Sequence, residues 1–197
     1  MKRIYPIDIF PWGRPEVYPE SQAELEFLED GIFVCLSAKE KNPRCSVTFP
    51  GGEVYRDSCM EFFFCPCPER NPGYYNFETN ALGMLYVGFS PDGTRRMSAP
   101  IAPEEYTGRI PTDAHIDQSR GSWSVRFTIS YDFIRSRVPE FNEKRQEYIT
   151  GNFYKCGDCT EFPHYAVWHP IDSNIITKPD FPVSYTHLRA HETSAHL

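Results

Sequence analysis

No stretch of this sequence approaches the ~20 consecutive apolar residues that cross a bilayer as a helix, and no cluster of Lys and Arg forms a stripe along it. The first absence predicts no membrane partner. The second, with 20 basic residues against 27 acidic ones and a net charge of −7, argues against a nucleic-acid partner, because such binding rests on cationic side chains neutralising phosphates. The N-terminus, Met1-Lys2-Arg3-Ile4-Tyr5-Pro6, lacks the apolar run of a secretory signal. Seven cysteines, an odd number beside no export signal, are therefore expected as reduced thiols in a cytoplasmic chain. An internal repeat, a low-complexity linker and the G-x-S-x-G motif of serine hydrolases are also missing.

What is present is aromatic. The 197 residues include 15 Phe, 12 Tyr and 3 Trp, and hydrophobic residues make up 40%, enough to bury the core of a single domain. Eighteen prolines would break long helices, so the composition favours strands and turns. Ala23–Leu28 and Ile32–Ala38, joined through Glu29-Asp30-Gly31, read as a hairpin whose Asp-Gly pair tolerates positive φ. Cys59–Cys65 is an apolar strand interrupted by Glu61. Tyr74–Asn80 alternates, with Tyr75, Phe77 and Thr79 opposite Asn76, Glu78 and Asn80, so one face is buried and the other carries amides and a carboxylate. Met84–Phe89 follows, closed by the turn Ser90-Pro91-Asp92-Gly93. Ser122–Ser130 sets Trp123, Val125, Phe127 and Ile129 against Ser124, Arg126 and Thr128. Tyr131–Arg137 suits a short helix, and Tyr148–Tyr154 and Tyr165–Trp168 are further strands. Many short strands at this spacing predict an all-β, antiparallel, immunoglobulin-like sandwich with one or two short helices.

The last segment changes character. Val183–Thr193 resembles an in-frame translation of a transposon-adapter sequence used in DNA library preparation. Residues 182–197 are accordingly expected to be a non-native tail, leaving 1–181 as the domain and the sandwich short of one terminal strand, with exposed edge groups.

Chemistry concentrates in two places. Glu61, Asn76, Glu78 and Asn80 would form a face able to hydrogen-bond vicinal hydroxyls, with Arg56 nearby, while Tyr55 or Trp168 could stack on the apolar C–H face of a sugar. An ordinary solvated sheet face is the competing reading. Cys156-x-x-Cys159 could form half of a zinc site with Cys65-x-Cys67 as the other half; buried inert thiols are the alternative. Glu61 and Glu78 could also serve as a glycosidase pair if their separation and pKa values suited.

Five motifs in order carry a resemblance. They are Asp57-Ser58-Cys59-Met60-Glu61-Phe62-Phe63, then Tyr75-Asn76-Phe77-Glu78-x-Asn80-x-x-Gly83, Asn152-x-Tyr154-Lys155-Cys156-Gly157-Asp158, His164-Tyr165-x-x-Trp168-x-Pro170, and Pro179-Asp180-Phe181. Together they resemble the carbohydrate-binding module family 9-like proteins, in their bacterial single-domain branch. The resemblance implies a sandwich related to DOMON-like folds, with a shallow sugar site on one sheet where two rings clamp a terminal sugar. It implies Tyr55 and Trp168 as the rings and Glu61 and Asn80 as hydroxyl ligands, with Arg56, Glu78, Lys155 and His164 beside them. Glu78 stands where the family carries a basic residue. No cofactor is implied beyond calcium in some members, and the ligand is a carbohydrate. Non-catalytic sugar binding is thus the leading expectation, with a glycoside hydrolase or accessory domain second and a metal- or haem-holding sandwich third.

Overall fold

The computed structural model describes residues 2–94 and 97–171, together with the backbone of 186–189. Along the chain the strands are β1 (Arg3–Ile7), β2 (Ser21–Phe27), β3 (Gly31–Ala38), β4 (Cys59–Cys65), β5 (Tyr74–Asn80), β6 (Leu85–Ser90), β7 (Ala99–Pro100), β8 (Asp113–Asp117), β9 (Ser122–Ser130), β10 (Tyr148–Cys156), β11 (Tyr165–Val167) and β12 (Thr186–Arg189). Two short helices, α1 (Pro103–Tyr106) and α2 (Tyr131–Arg135), and a 3-10 turn at Val54–Arg56 complete the described elements.

The strands form two antiparallel sheets. One has five strands in the order β1-β2-β3-β9-β8; the other has seven, in the order β11-β10-β4-β5-β6-β7 with β12 also on β10. Alternation decides which side chains face inward. Ile32, Val34 and Leu36 of β3 and Trp123, Val125, Phe127 and Ile129 of β9 meet Met60, Phe62 and Phe64 of β4 and Tyr75 and Phe77 of β5 in one buried core. Phe62 stacks on Phe64 and on Phe153, with ring centroids 5.0 and 4.7 Å apart. Each fully buried ring of this kind contributes about 1.5–3 kcal/mol of transfer free energy. The Tyr75 hydroxyl donates to the Ile134 carbonyl at 2.9 Å, fastening α2 to the seven-stranded sheet. Helix α2 begins on a cap in which Ser130 Oγ accepts from the Phe133 amide at 3.2 Å.

The β-sandwich expected from the strand pattern is the fold observed, with differences in detail. Gly31 does not take positive φ. Its requirement is close approach, because a Cβ there would lie 2.6 Å from the Ile129 carbonyl oxygen across the ladder. Strands β1, β7 and β8 had no clear pattern. Thr186–Arg189, inside the segment set aside as a tail, runs antiparallel to Tyr148–Gly151 of β10. Ladder bonds join backbone to backbone, so an extended segment can satisfy that edge whatever its side chains. The Pro179-Asp180-Phe181 motif and the 181/182 boundary lie outside the described residues.

Candidate functional site

The outer surface of the seven-stranded sheet is built by the strand positions that the core does not use. Cross-strand register aligns them in rows. Tyr154 of β10 lies opposite Glu61 of β4, Glu61 opposite Glu78 of β5, and Glu78 opposite Tyr86 of β6. One pleat along, Asn152, Phe63, Asn76 and Gly88 form a second row. On the other side, Tyr165, Cys156, Cys59 and Asn80 form a third. Two carboxyl groups directly opposite one another are an arrangement that sheets generally avoid, because like charges there oppose pairing.

Rings frame these rows. Half-buried Tyr55, Tyr86 and Tyr165 pack around Cys59 and Cys156. Trp12, from the connection after β1, meets Tyr165 edge-on at 6.3 Å and joins Tyr154, Val167 and Phe63 in a second apolar patch. The 3-10 turn sets the position of Tyr55: its carbonyl accepts from the Asp158 amide at 3.4 Å, and the Arg56 carbonyl accepts from the Cys159 amide at 3.2 Å. The Tyr55 hydroxyl donates to Glu53 at 3.0 Å, and the Arg56 guanidinium lies 5.9 Å from the Tyr55 ring centre. Within the rows, the Cys156 thiol donates to Glu61 Oε1 at 3.0 Å, and Asn76 Nδ2 donates to Glu78 Oε1 at 2.6 Å. Asn76 Oδ1 is buried and has no hydrogen-bond partner among the described residues, a costly state for an acceptor.

The structure gathers Tyr55, Arg56, Glu61 and Glu78 on this wall, commits Asn80 to the fold beneath it and turns Lys155, His164 and Trp168 away. Asn80 is on the same side but fully buried and committed to the fold. Its amide donates to the Val47 carbonyl and Asp57 Oδ2, at 2.8 and 3.0 Å, and its carbonyl accepts from the amides of Leu82 and Met84, both at 3.1 Å. Trp168 lies on the opposite side of the sheet. Tyr165 and Val167 face outward, so strand parity turns Trp168 inward, against Tyr5 at 4.7 Å and Phe153 at 5.9 Å. Tyr55 and Trp168 therefore do not clamp one ligand. Lys155 is turned inward for the same reason, between outward Tyr154 and Cys156.

Lys155 and His164 belong instead to a buried polar cluster between the sheets. Lys155 Nζ lies 3.4 Å from Glu40 Oε2, 3.0 Å from the Cys156 carbonyl and 2.7 Å from His164 Nε2. His164 Nδ1 is 2.7 Å from the Phe162 carbonyl, which can only accept. The imidazole therefore carries its proton on Nδ1 and offers the Nε2 lone pair to the ammonium. Burial, then the Lys155 charge, lowers the His164 pKa to about 4. Burial alone would raise Glu40. Lys155, with hydrogen bonds from Ser58 at 2.6 Å and the Trp123 indole at 2.9 Å, outweighs it and holds the carboxyl below its usual range.

The two cysteine pairs that could have formed halves of a zinc site do not meet. Cys65 and Cys156 sit at opposite ends of the β4–β10 ladder, Cys65 opposite Thr150 and Cys156 opposite Cys59, which at ~3.3 Å per residue puts them roughly 20 Å apart. Cys67 donates to Gln146 at 3.4 Å, and Cys159 is exposed. Sequence reading passed over Tyr86, Tyr165 and Trp12 as site rings. The Tyr165/Val167 alternation was the signal that Tyr165, not Trp168, faces the wall.

The chain matches the family model described as carbohydrate-binding family 9 over residues 2–187. Among solved structures it is similar to a candidate carbohydrate-binding protein of Bacteroides uniformis, at 25% identity and a TM-score of 0.75, covering 94% of this chain and 85% of that one. It is also similar to a family 9 carbohydrate-binding module of Caldicellulosiruptor kristjanssonii solved in complex with cellotriose, at 9% identity and a TM-score of 0.61, covering 99% and 86% of the two chains. A glucose complex of a family 9 module from the same organism aligns at 9% identity, a TM-score of 0.60, and 96% and 85% coverage. No curated protein matches the sequence.

Proposed function

We propose, from the premise that the chain belongs to carbohydrate-binding family 9, that it binds a sugar without cleaving it, on the outer wall of the seven-stranded sheet. The observation that carries this reading is the row Tyr154–Glu61–Glu78–Tyr86, two carboxyl groups side by side and bordered by the rings of Tyr55 and Tyr165. Sugars present both a hydroxyl edge and an apolar face. Glu61, Glu78 and Asn76 supply acceptors for the first, and the tyrosine rings supply a surface for the second. Burial of Asn76 Oδ1 without a partner among the described residues suits a group that gains its donor from a ligand. Arg56, exposed beside Tyr55, borders the same wall.

Glucose and cello-oligosaccharides are the natural first probes, since the structural relatives bind glucose and cellotriose. Isothermal titration should detect binding in the wild type and a loss of at least ~10-fold, about 1.4 kcal/mol, in Tyr55→Ala or Tyr165→Ala. Trp168→Leu, on the opposite side, should keep the wild-type affinity in the folded protein. Equal losses in all three variants would remove the wall as the site. Aryl glycosides should remain intact on prolonged incubation, and turnover abolished by Glu61→Gln would replace this reading with hydrolysis.

A further inference from the structure

Two thiols on the outer wall are not explained by sugar recognition. Cys59 and Cys156 are register partners on β4 and β10, and Glu61, two residues along β4, shares their face. All three are buried, and their Sγ and carboxylate oxygen atoms lie within 4.8 Å of one another. They come from central, fully paired strands and are covered by Tyr55, Tyr86 and Tyr165.

We propose that Cys59, Cys156 and Glu61 form a site for a thiophilic divalent cation, zinc by ligand chemistry. Zinc takes thiolate sulfur at ~2.3 Å and carboxylate oxygen at ~2.0–2.2 Å in a tetrahedral set, which separates paired ligands by roughly 3.5–4 Å. The observed spacing reaches that geometry with side-chain shifts below ~1 Å, and the strands need not move. Two sulfurs and one oxygen do not suit calcium or magnesium, which demand oxygen-rich shells. Three protein ligands leave a fourth position for water or another small donor.

Without metal the two thiols hold their protons. Burial pushes the Cys59 thiol up to about 11, while Cys59 itself and then burial raise Cys156 well above its ordinary value. Binding must therefore expel thiol protons, and affinity should climb with pH. The site shares Glu61 with the proposed sugar wall, but the cysteines take no part in hydroxyl recognition, so the two readings stand or fall on different measurements.

The test uses the reduced full chain, equilibrated with zinc, freed of excess metal and analysed for bound zinc, with cobalt(II) as a spectroscopic probe. The expected result is about one ion per chain and a cobalt spectrum with intense visible bands and a sulfur-to-metal charge-transfer band. Cys59→Ala and Cys156→Ala should abolish both signals, Glu61→Gln should weaken binding at least ~10-fold, and Cys159→Ala should retain them. Absence of bound metal would overturn the proposal. So would metal retained in Cys59→Ala and lost in Cys159→Ala, or alkylation of the denatured chain showing Cys59 and Cys156 joined as a disulfide. The wild-type charge-transfer band reads thiolate ligation directly, so a variant that fails to fold does not remove the test.

Discussion

Acidification should destabilise this protein through one residue before its carboxylates respond. His164 is buried with Lys155 Nζ against its Nε2 at 2.7 Å, and its pKa lies near 4 against an ordinary value of ~6.5. The unfolded chain therefore binds a proton in the interval where the folded chain refuses one. Stability is complete above pH ~6.5 and falls as the pH drops toward ~4. Linkage over that interval gives a loss of about 2 kcal/mol at pH 5 and about 3 kcal/mol at pH 4. Lowering of Glu40 adds a loss only at more acid pH, below its unfolded value. Urea unfolding from pH 8 to pH 4, on wild type and His164→Gln, would measure the difference. Glutamine can still donate to Phe162 and accept from Lys155 but does not titrate. The variant should start less stable at pH 8 and show the shallower decline. Parallel curves for the two proteins would refute this account of the buried cluster.

Asn80→Ala should lower stability by about 3 kcal/mol, because it strands the amides of Leu82 and Met84 and takes a donor from buried Asp57; thermal melting should record the loss, with sugar affinity of the folded protein retained. Gly31→Ala should cost about 1–3 kcal/mol, since its Cβ would lie 2.6 Å from the Ile129 backbone oxygen. Gly108→Ala, where nothing among the described residues lies within 4 Å, is the neutral comparison in the same denaturation assay.

The sandwich was legible wherever a strand has one wet face and one dry face, as β5 and β9 do. Strands β1 and β8 sit at the edges of the five-stranded sheet, and their sequences, RIYPI and DAHID, alternate weakly because an edge strand covers little of the core. The wall was legible through Glu61 and Glu78, whose positions follow from strand parity. Lys155, His164 and Trp168 were misplaced because proximity in a motif is not proximity on a face: one residue of offset along β10 or β11 carries a side chain through the sheet. Asn80 shows another limit, since an amide that holds four partners reads in sequence like one that awaits a ligand.

Glu40 joins regions far apart along the chain. It follows β3, yet it receives Ser58 just before β4, Trp123 of β9 and Lys155 of β10, so a single carboxylate pins both layers of the molecule at one end. Sliding of one layer over the other would break the links to Ser58 and Lys155 together. A sugar docking on the far surface, as proposed, would meet a stiff backing whose shape was settled during folding, and little of its binding energy would be diverted into straightening the receptor.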